Sequence, residues 1–425
     1  MIADTTAPAP AGTARRWTPG LRLWAQWAAT RALTLLVLIP EHKVLGDVRY
    51  YFGQVDGLFH GGALGGTLPE YPVPAVGFLM LPRLVSGHWV LAYLAAFVAL
   101  MLAVDAGLSW ALFRAAAWRH RPAHGGRGPG RGVTLWLWVL PLLGPMILCR
   151  FDLVPAALAG GALLLVARRP ALAGVLLGVG AAVKLWPAAL LPSLCLHPTP
   201  GRRGGRWRLL AAFGAVAAVT VPVVAALAGT TRLASPLHWQ GERGLQVEAY
   251  AALPLLVADL FRPDRWHVEY TRYYAFQVVG PGTGAAMTAA TVASGLAVLL
   301  LAVLWLRAAR LRGSVPPAAV GLLGALTVCL VAVTDKTLSP QYLIWVAALL
   351  AVVGVLHPDA LPRGINAVLL ATCALTQVIF PLNYDPLVAG EPYAVVLLVV
   401  RDAGLLAVAW LAGRQVWALT RGPRP

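Results

Sequence analysis

Charge is the scarcest commodity in this sequence. Only 12% of its 425 residues are charged, against 59% hydrophobic, and mean hydropathy is +0.72; a soluble domain carries about twice that charge. The shortage excludes a water-soluble fold. Acid is rarer still, with 17 Asp and Glu beside 34 Lys and Arg, and lysine occurs only at Lys43, Lys184 and Lys336. Cysteine stands at 149, 195, 329 and 373, always inside apolar segments and without metal or disulfide spacing, so these are read as small buried hydrophobes. Walker A, GxGxxG, HExxH and Ser-His-Asp patterns are all missing, which removes soluble nucleotide-binding machinery. Period-two alternation is missing too, excluding a membrane β-barrel.

What is present is a series of long apolar runs. A lipid-exposed backbone must bond to itself, so an all-α polytopic membrane protein is expected. Net charge is +17, but the arginines sit mostly in short loops between apolar runs, where they set orientation. No nucleic-acid partner is expected. Residues 1–20 read as a polar, disordered cytoplasmic tail ahead of one transmembrane domain, 21–420. Spans are expected near 21–40, 89–113, 133–149, 152–167, 208–228, 283–306, 316–333, 338–356, 364–381 and 393–418. The run after Arg169 is best split into two short half-spans at Lys184–Pro187, which keeps Arg202, Arg203, Arg206 and Arg208 inside. That drawing gives about twelve crossings with both termini cytoplasmic. External loops cover 41–88, with short helices lying on the membrane, and 229–282. Most acids, and all three lysines, then gather at the outer face.

Several external stretches place charge at the lip of an apolar segment. Asp47 follows the first span, beside Arg49, Tyr50 and Tyr51; a carboxylate there can deprotonate a hydroxyl within hydrogen-bond reach, or simply satisfy helix-end amides. Arg150 and Asp152 flank a hairpin turn, as a local ion pair or as ligand contacts. Lys184 lies within a membrane segment, where a cation needs a partner; an anionic headgroup would serve, with snorkelling the plainer reading. Asp335 and Lys336 close one span, and Ser339, Gln341 and Tyr342 open the next, aiming a helix N-terminus at the external side. The long loop carries His238, Arg243, Gln246 and Glu248. Arg401 and Asp402 read as a self-neutralising pair in the last span.

The order of these motifs is familiar. An acid after the first span, Tyr71-Pro72-Val73-Pro74, the K-x-x-P-x-x-L-L-P of Lys184–Pro192 and the S-P-Q-Y-L-x-W of Ser339–Trp345 together resemble the GT-C glycosyltransferases. Within them the pattern is most similar to glycosyltransferase family 87, the polyprenyl-phosphate-mannose-dependent mannosyltransferases of actinobacteria, as is the R-G-L-Q-V-E run of Arg243–Glu248. Several members carry histidines after the late Ser-Pro, where this chain has Gln341, Tyr342 and Leu343. The resemblance implies a GT-C-like bundle, some of its helices short or broken. It further implies a plasma-membrane enzyme without metal or cofactor. Such an enzyme moves a hexose, with mannose expected, from a polyprenyl-phosphate donor to a lipid or glycan acceptor at the outer face, with inversion. By the same resemblance Asp47 is the base, and the donor phosphate and sugar fall to Lys184, Arg150, Asp152, Lys336, Ser339, Gln341 and Tyr342. Tyr51, Tyr71, Arg243, Gln246 and Glu248 are left for the acceptor or the cleft wall. The alternative is a transporter or lipid flippase, but that class places ionisable residues at mid-bilayer on several helices, and here they crowd one face.

Overall fold

The computed structural model describes residues 19–38, 42–119, 130–198, 204–311 and 314–421. The N-terminal tail to residue 18, the side chain of Lys43, the basic stretch 120–129 and the last four residues lie outside the described set. Helices dominate: α1 (Pro19–Leu38), α2 (Gly46–Leu58), α3 (Val73–Ser86), α4 (Val90–Arg119), α5 (Gly130–Leu143), α6 (Leu153–Leu165), α7 (Pro170–Val183), α8 (Leu191–Cys195) and α9 (Gly205–Ala228). There follow α10 (Thr231–Glu242), α11 (Leu253–Asp259), α12 (Thr283–Ala309), α13 (Pro317–Thr334), α14 (Leu343–Leu356), α15 (Ile365–Gln377), α16 (Tyr384–Val388) and α17 (Pro392–Leu419). Among the described residues six helices or helical segments are long and apolar enough to cross a membrane: most of α4, α9, α12, α13, α15 with the turn that extends it, and α17. Shorter apolar helices fill the space between them. The protein is an α-helical membrane protein.

Its centre is α14. The segment LIWVAALLAVVGVL is apolar all round, and every residue from Leu343 to Val355 is buried, as expected of a helix with no solvent or lipid face. It packs on α4, α5, α6 and α13. Against α5 the two backbones touch: a Cβ on Gly354 would sit 2.8 Å from the Cα of Gly132. Small residues permit this close approach, and in lipid such packing supplies the association that hydrophobicity cannot. At the periphery α9 and α12 bury little of their surface, 11% and 17% of their apolar windows against 78% for α13, so they face lipid.

One polar knot ties the early helices together. Arg31 of α1 meets Asp105 of α4 through Nε at 2.7 Å and Nη2 at 2.8 Å, and its Nη1 donates to the Leu137 carbonyl of α5. Trp27 and Trp136 donate to the same carboxylate. Both charged side chains are almost fully buried. An Asp inside the longest described apolar helix therefore has a complete set of donors, the condition under which a buried pair is tolerated.

The expected break at Lys184 is present. α7 ends at Val183, and a short 3-10 turn, Trp186–Leu190, leads into α8. Lys184 lines a cleft at one end of the bundle, whereas His197 lines a cavity at the other. The chain therefore returns across the bundle in a dozen residues. The late span also opens with a 3-10 turn, Pro340–Tyr342, before α14 begins at Leu343.

The long loop holds more structure than its sequence announces. α10 and α11 are followed by a two-stranded antiparallel hairpin, β1 (His267–Tyr270) and β2 (Phe276–Val279), with His267 opposite Val279 and Tyr270 opposite Phe276. Residues 245–247 run beside β2: Val278 donates to the Leu245 carbonyl at 2.8 Å and Val247 to the Phe276 carbonyl at 3.0 Å. This small sheet roofs the cleft described next.

Candidate active site

Helix ends build the site. Asp47 sits in the first turn of α2, Lys184 caps α7, Arg150 and Asp152 occupy the turn before α6, and Ser339–Tyr342 lead into α14. Asp47, Arg150, Lys184, Ser339, Gln341 and Tyr342 share the wall of one cavity of about 270 Å³, with Tyr51, Tyr71 and Arg243. A second cavity, about 430 Å³, adjoins it under the hairpin and is lined by Gln246, Glu248, Tyr270 and Tyr384. Asp47, Tyr50, Arg150, Arg243, Tyr274 and Ser339 belong to both walls. Two chambers thus meet at the first-loop acid.

The ion pairs around this meeting point are crossed. Arg150 and Asp152 do not close their own turn; Arg150 Nε reaches Asp47 at 2.5 Å, and Asp152 takes Lys184 Nζ at 2.6 Å. Arg150 also donates to the Gln341 side-chain carbonyl. The short turn thereby fixes α2 on one side and the α7 break on the other. Lys184 is not a snorkelling residue: Phe151, Tyr71, Tyr342 and Trp345 surround its ammonium with ring centroids 5.1–5.7 Å away. Each such contact is worth roughly 0.5–2 kcal/mol when desolvated. Trp345 donates to the same Asp152 oxygen at 2.9 Å, and its ring is sandwiched between Trp186 and Tyr342. Asp152 is behind the wall, orienting the lysine instead of facing the chamber.

Two expectations need correction. Lys336 lines neither chamber; it is half-buried and donates to the Gly241 carbonyl at 2.7 Å. Its neighbour Asp335 faces the cleft in its place, receiving bonds from Gln240 and the Thr337 amide. Arg401 and Asp402 are not a closed pair, because Glu248 from the long loop also lies 3.1 Å from Arg401. Two carboxylates thus share one guanidinium that is wholly buried. Burial pushes the Glu248 carboxyl up to about 7 despite the pull of Arg401.

Sequence reasoning gave no site role to Glu70, Tyr50, Trp239 and Gln240, all of which line the first chamber. Glu70 is the most consequential. One of its oxygens is buried without a partner, and burial raises its carboxyl, against the opposing effect of a Tyr50 hydrogen bond and of Arg232 and Arg243. The same burial raises Asp335. Arg232 holds the loop that carries Glu70, donating to the carbonyls of Thr67, Leu68 and Tyr71 at 2.7–3.0 Å. The available signal was Glu70's place directly before Tyr71-Pro72. Among the described residues no three His, Cys, Asp or Glu side chains gather as a metal site.

A charged, aromatic-walled cleft at the helix ends of a membrane bundle suits an enzyme of the membrane. The family model of glycosyltransferase family 87 matches residues 70–293, more than half of the chain, and the protein belongs to that family. It is a membrane glycosyltransferase. No curated protein matches it.

Proposed function

We propose that the protein transfers a hexose, with mannose expected, from a polyprenyl phosphate to a lipid or glycan acceptor, inverting the anomeric centre. The observation that carries this reading is Asp47 held at the junction of two chambers by Arg150, with Lys184 and Arg243 in the wall of the first. A donor phosphate in the first chamber meets cations at fixed positions, so charge on the leaving oxygen is stabilised without reorganisation. Arg150 then turns from Asp47 toward the phosphate. The freed carboxylate takes the proton of the acceptor hydroxyl as its oxygen attacks the anomeric carbon. The sugar–phosphate C–O bond breaks on the opposite side, and its electrons leave with the polyprenyl phosphate. Gln341 and Ser339 are placed for the sugar hydroxyls, and the second chamber under the hairpin for the acceptor.

The bundle is proposed to make about twelve crossings of the plasma membrane, with termini inside and the cleft outside. Arginine-rich connections at the end opposite the cleft support this orientation. Purified protein incubated with polyprenyl-phosphate sugars and candidate glycolipids, with products read by mass, tests the activity. Asp47→Asn is expected to lose roughly 10²–10⁴-fold in transfer rate, the range for a general base, and to retain donor binding. Full activity in that variant would remove the base assignment.

A further inference from the structure

At the end of the bundle away from the cleft lies a second, unrelated cavity of about 820 Å³. The two sites are separated by whole helices. α6 begins beside Asp152 and ends in this cavity at Leu165, and α14 begins beside Tyr342 and ends there at Leu356. At 1.5 Å per residue they lie about 20 Å apart.

Its lining is cationic at Arg114, Arg168 and Arg169, with no acid among the described residues. The rest of the lining is mostly apolar, including Trp110, Leu172 and Leu356. A surplus of arginine at this end is ordinary for a membrane protein, and arginines also cap helix ends by bonding backbone carbonyls. Arg131 does the latter nearby, donating to the carbonyls of Pro358, Leu361 and Pro362 at 2.7–3.1 Å. The three cavity arginines do not: among the described residues none has a carboxylate or carbonyl partner for its guanidinium. Arg114 and Arg168 instead lie on the rings of Trp110 and Trp118, at 5.4 and 4.3 Å. Stacking fixes the plane of a guanidinium and keeps its N–H edge available to a phosphate. Trp110 and Leu172 are 54% and 38% exposed on the apolar flank, so the cavity is entered from the lipid side.

We propose that this cavity is a binding site for an acidic phospholipid of the leaflet opposite the cleft. The phosphodiester rests on Arg114, Arg168 and Arg169, and one acyl chain lies along Leu172 and Leu356. Charge complementarity selects an acidic lipid, and the lateral mouth selects a lipid over a soluble anion.

Lipid-depleted protein titrated with phosphatidylglycerol or phosphatidylcholine of equal chain length, and read by native mass spectrometry, tests this without reference to glycosyl transfer. Phosphatidylglycerol is expected to form a one-to-one adduct at a concentration at least tenfold lower. The R114Q/R168Q/R169Q variant is expected to abolish that preference. Leu172→Trp, which fills the hydrocarbon part and leaves the charges alone, is expected to weaken the adduct by a similar factor and serves if the triple variant fails to fold. Millimolar glycerol 3-phosphate is expected to leave the adduct in place. Equal binding of the two lipids, an unchanged preference in the triple variant, an unchanged adduct in Leu172→Trp, or displacement by glycerol phosphate would each overturn the assignment.

Discussion

At the scale of residues, the sequence displays which side chains matter better than it displays whom they meet. Asp47, Arg150, Lys184 and Gln341 stand out because a charge or amide beside an apolar run demands a reason. Their pairing is invisible, since Arg150 and Asp152 are two residues apart and the local pair is the economical guess. Only the packing of α2 and of the α7 break on either side of that turn separates them. Glu248 teaches the same lesson in reverse: it reads as a loop acid, yet it is buried on Arg401. That burial has a measurable sign. The folded carboxyl titrates near 7 and the ordinary glutamate value is 4.5, so between those values the native state holds a proton that the unfolded chain has released. This carboxyl's contribution to stability is therefore fully present below about 4.5 and is lost as pH rises through 7, by about 3 kcal/mol for a shift of this size. Melting in detergent from pH 5 to pH 8 should show the decline, and Glu248→Gln should reduce it by several degrees. An equal decline in both proteins would assign the effect elsewhere. Glu70 and Asp335, raised in the same direction, contribute the remainder.

Elements were the most legible level. Long apolar runs fix their own identity as helices, and the structure begins and ends most of them within a few residues of the expected bounds. The Lys184 break was readable because a buried cation, a following proline and the arginines downstream all pointed the same way. The β1–β2 hairpin was not: HVEY and FQVV are each four residues long, and strands so short carry no period. Nor was the α1–α4–α5 knot, because an acid at 105 and an arginine at 31 declare no partnership across 74 residues. Removing one half of that pair leaves the other charge buried and unpaired, at a cost of roughly 3–5 kcal/mol. Asp105→Ala should therefore lower the melting temperature sharply, while the double variant Arg31→Met with Asp105→Leu should melt well above the single. If the double variant melts no higher, the knot is contributing something other than charge compensation.

For the molecule as a whole, the proposed orientation rests on where arginine accumulates, and it can be checked directly. In a background with the four native cysteines replaced by serine, Arg272→Cys on the hairpin turn should react with a membrane-impermeant maleimide on intact cells. Arg363→Cys, at the opposite end, should react only after permeabilisation. The reverse pattern would place the cleft inside. The inner helices also have a length worth following through. α6, α7 and α14 contain 13, 14 and 14 residues, about 20 Å each, whereas the hydrocarbon slab is roughly 30 Å thick. On the proposed orientation the shortfall falls on the cleft side, since the other ends of these helices meet Arg168, Arg169 and His357. That placement sets the crossed ion pairs in a dent below the outer headgroups. A lipid-tethered phosphate would have to be drawn downward to meet them, and turnover in vesicles should slow as the lipid tails lengthen although no amino acid has changed.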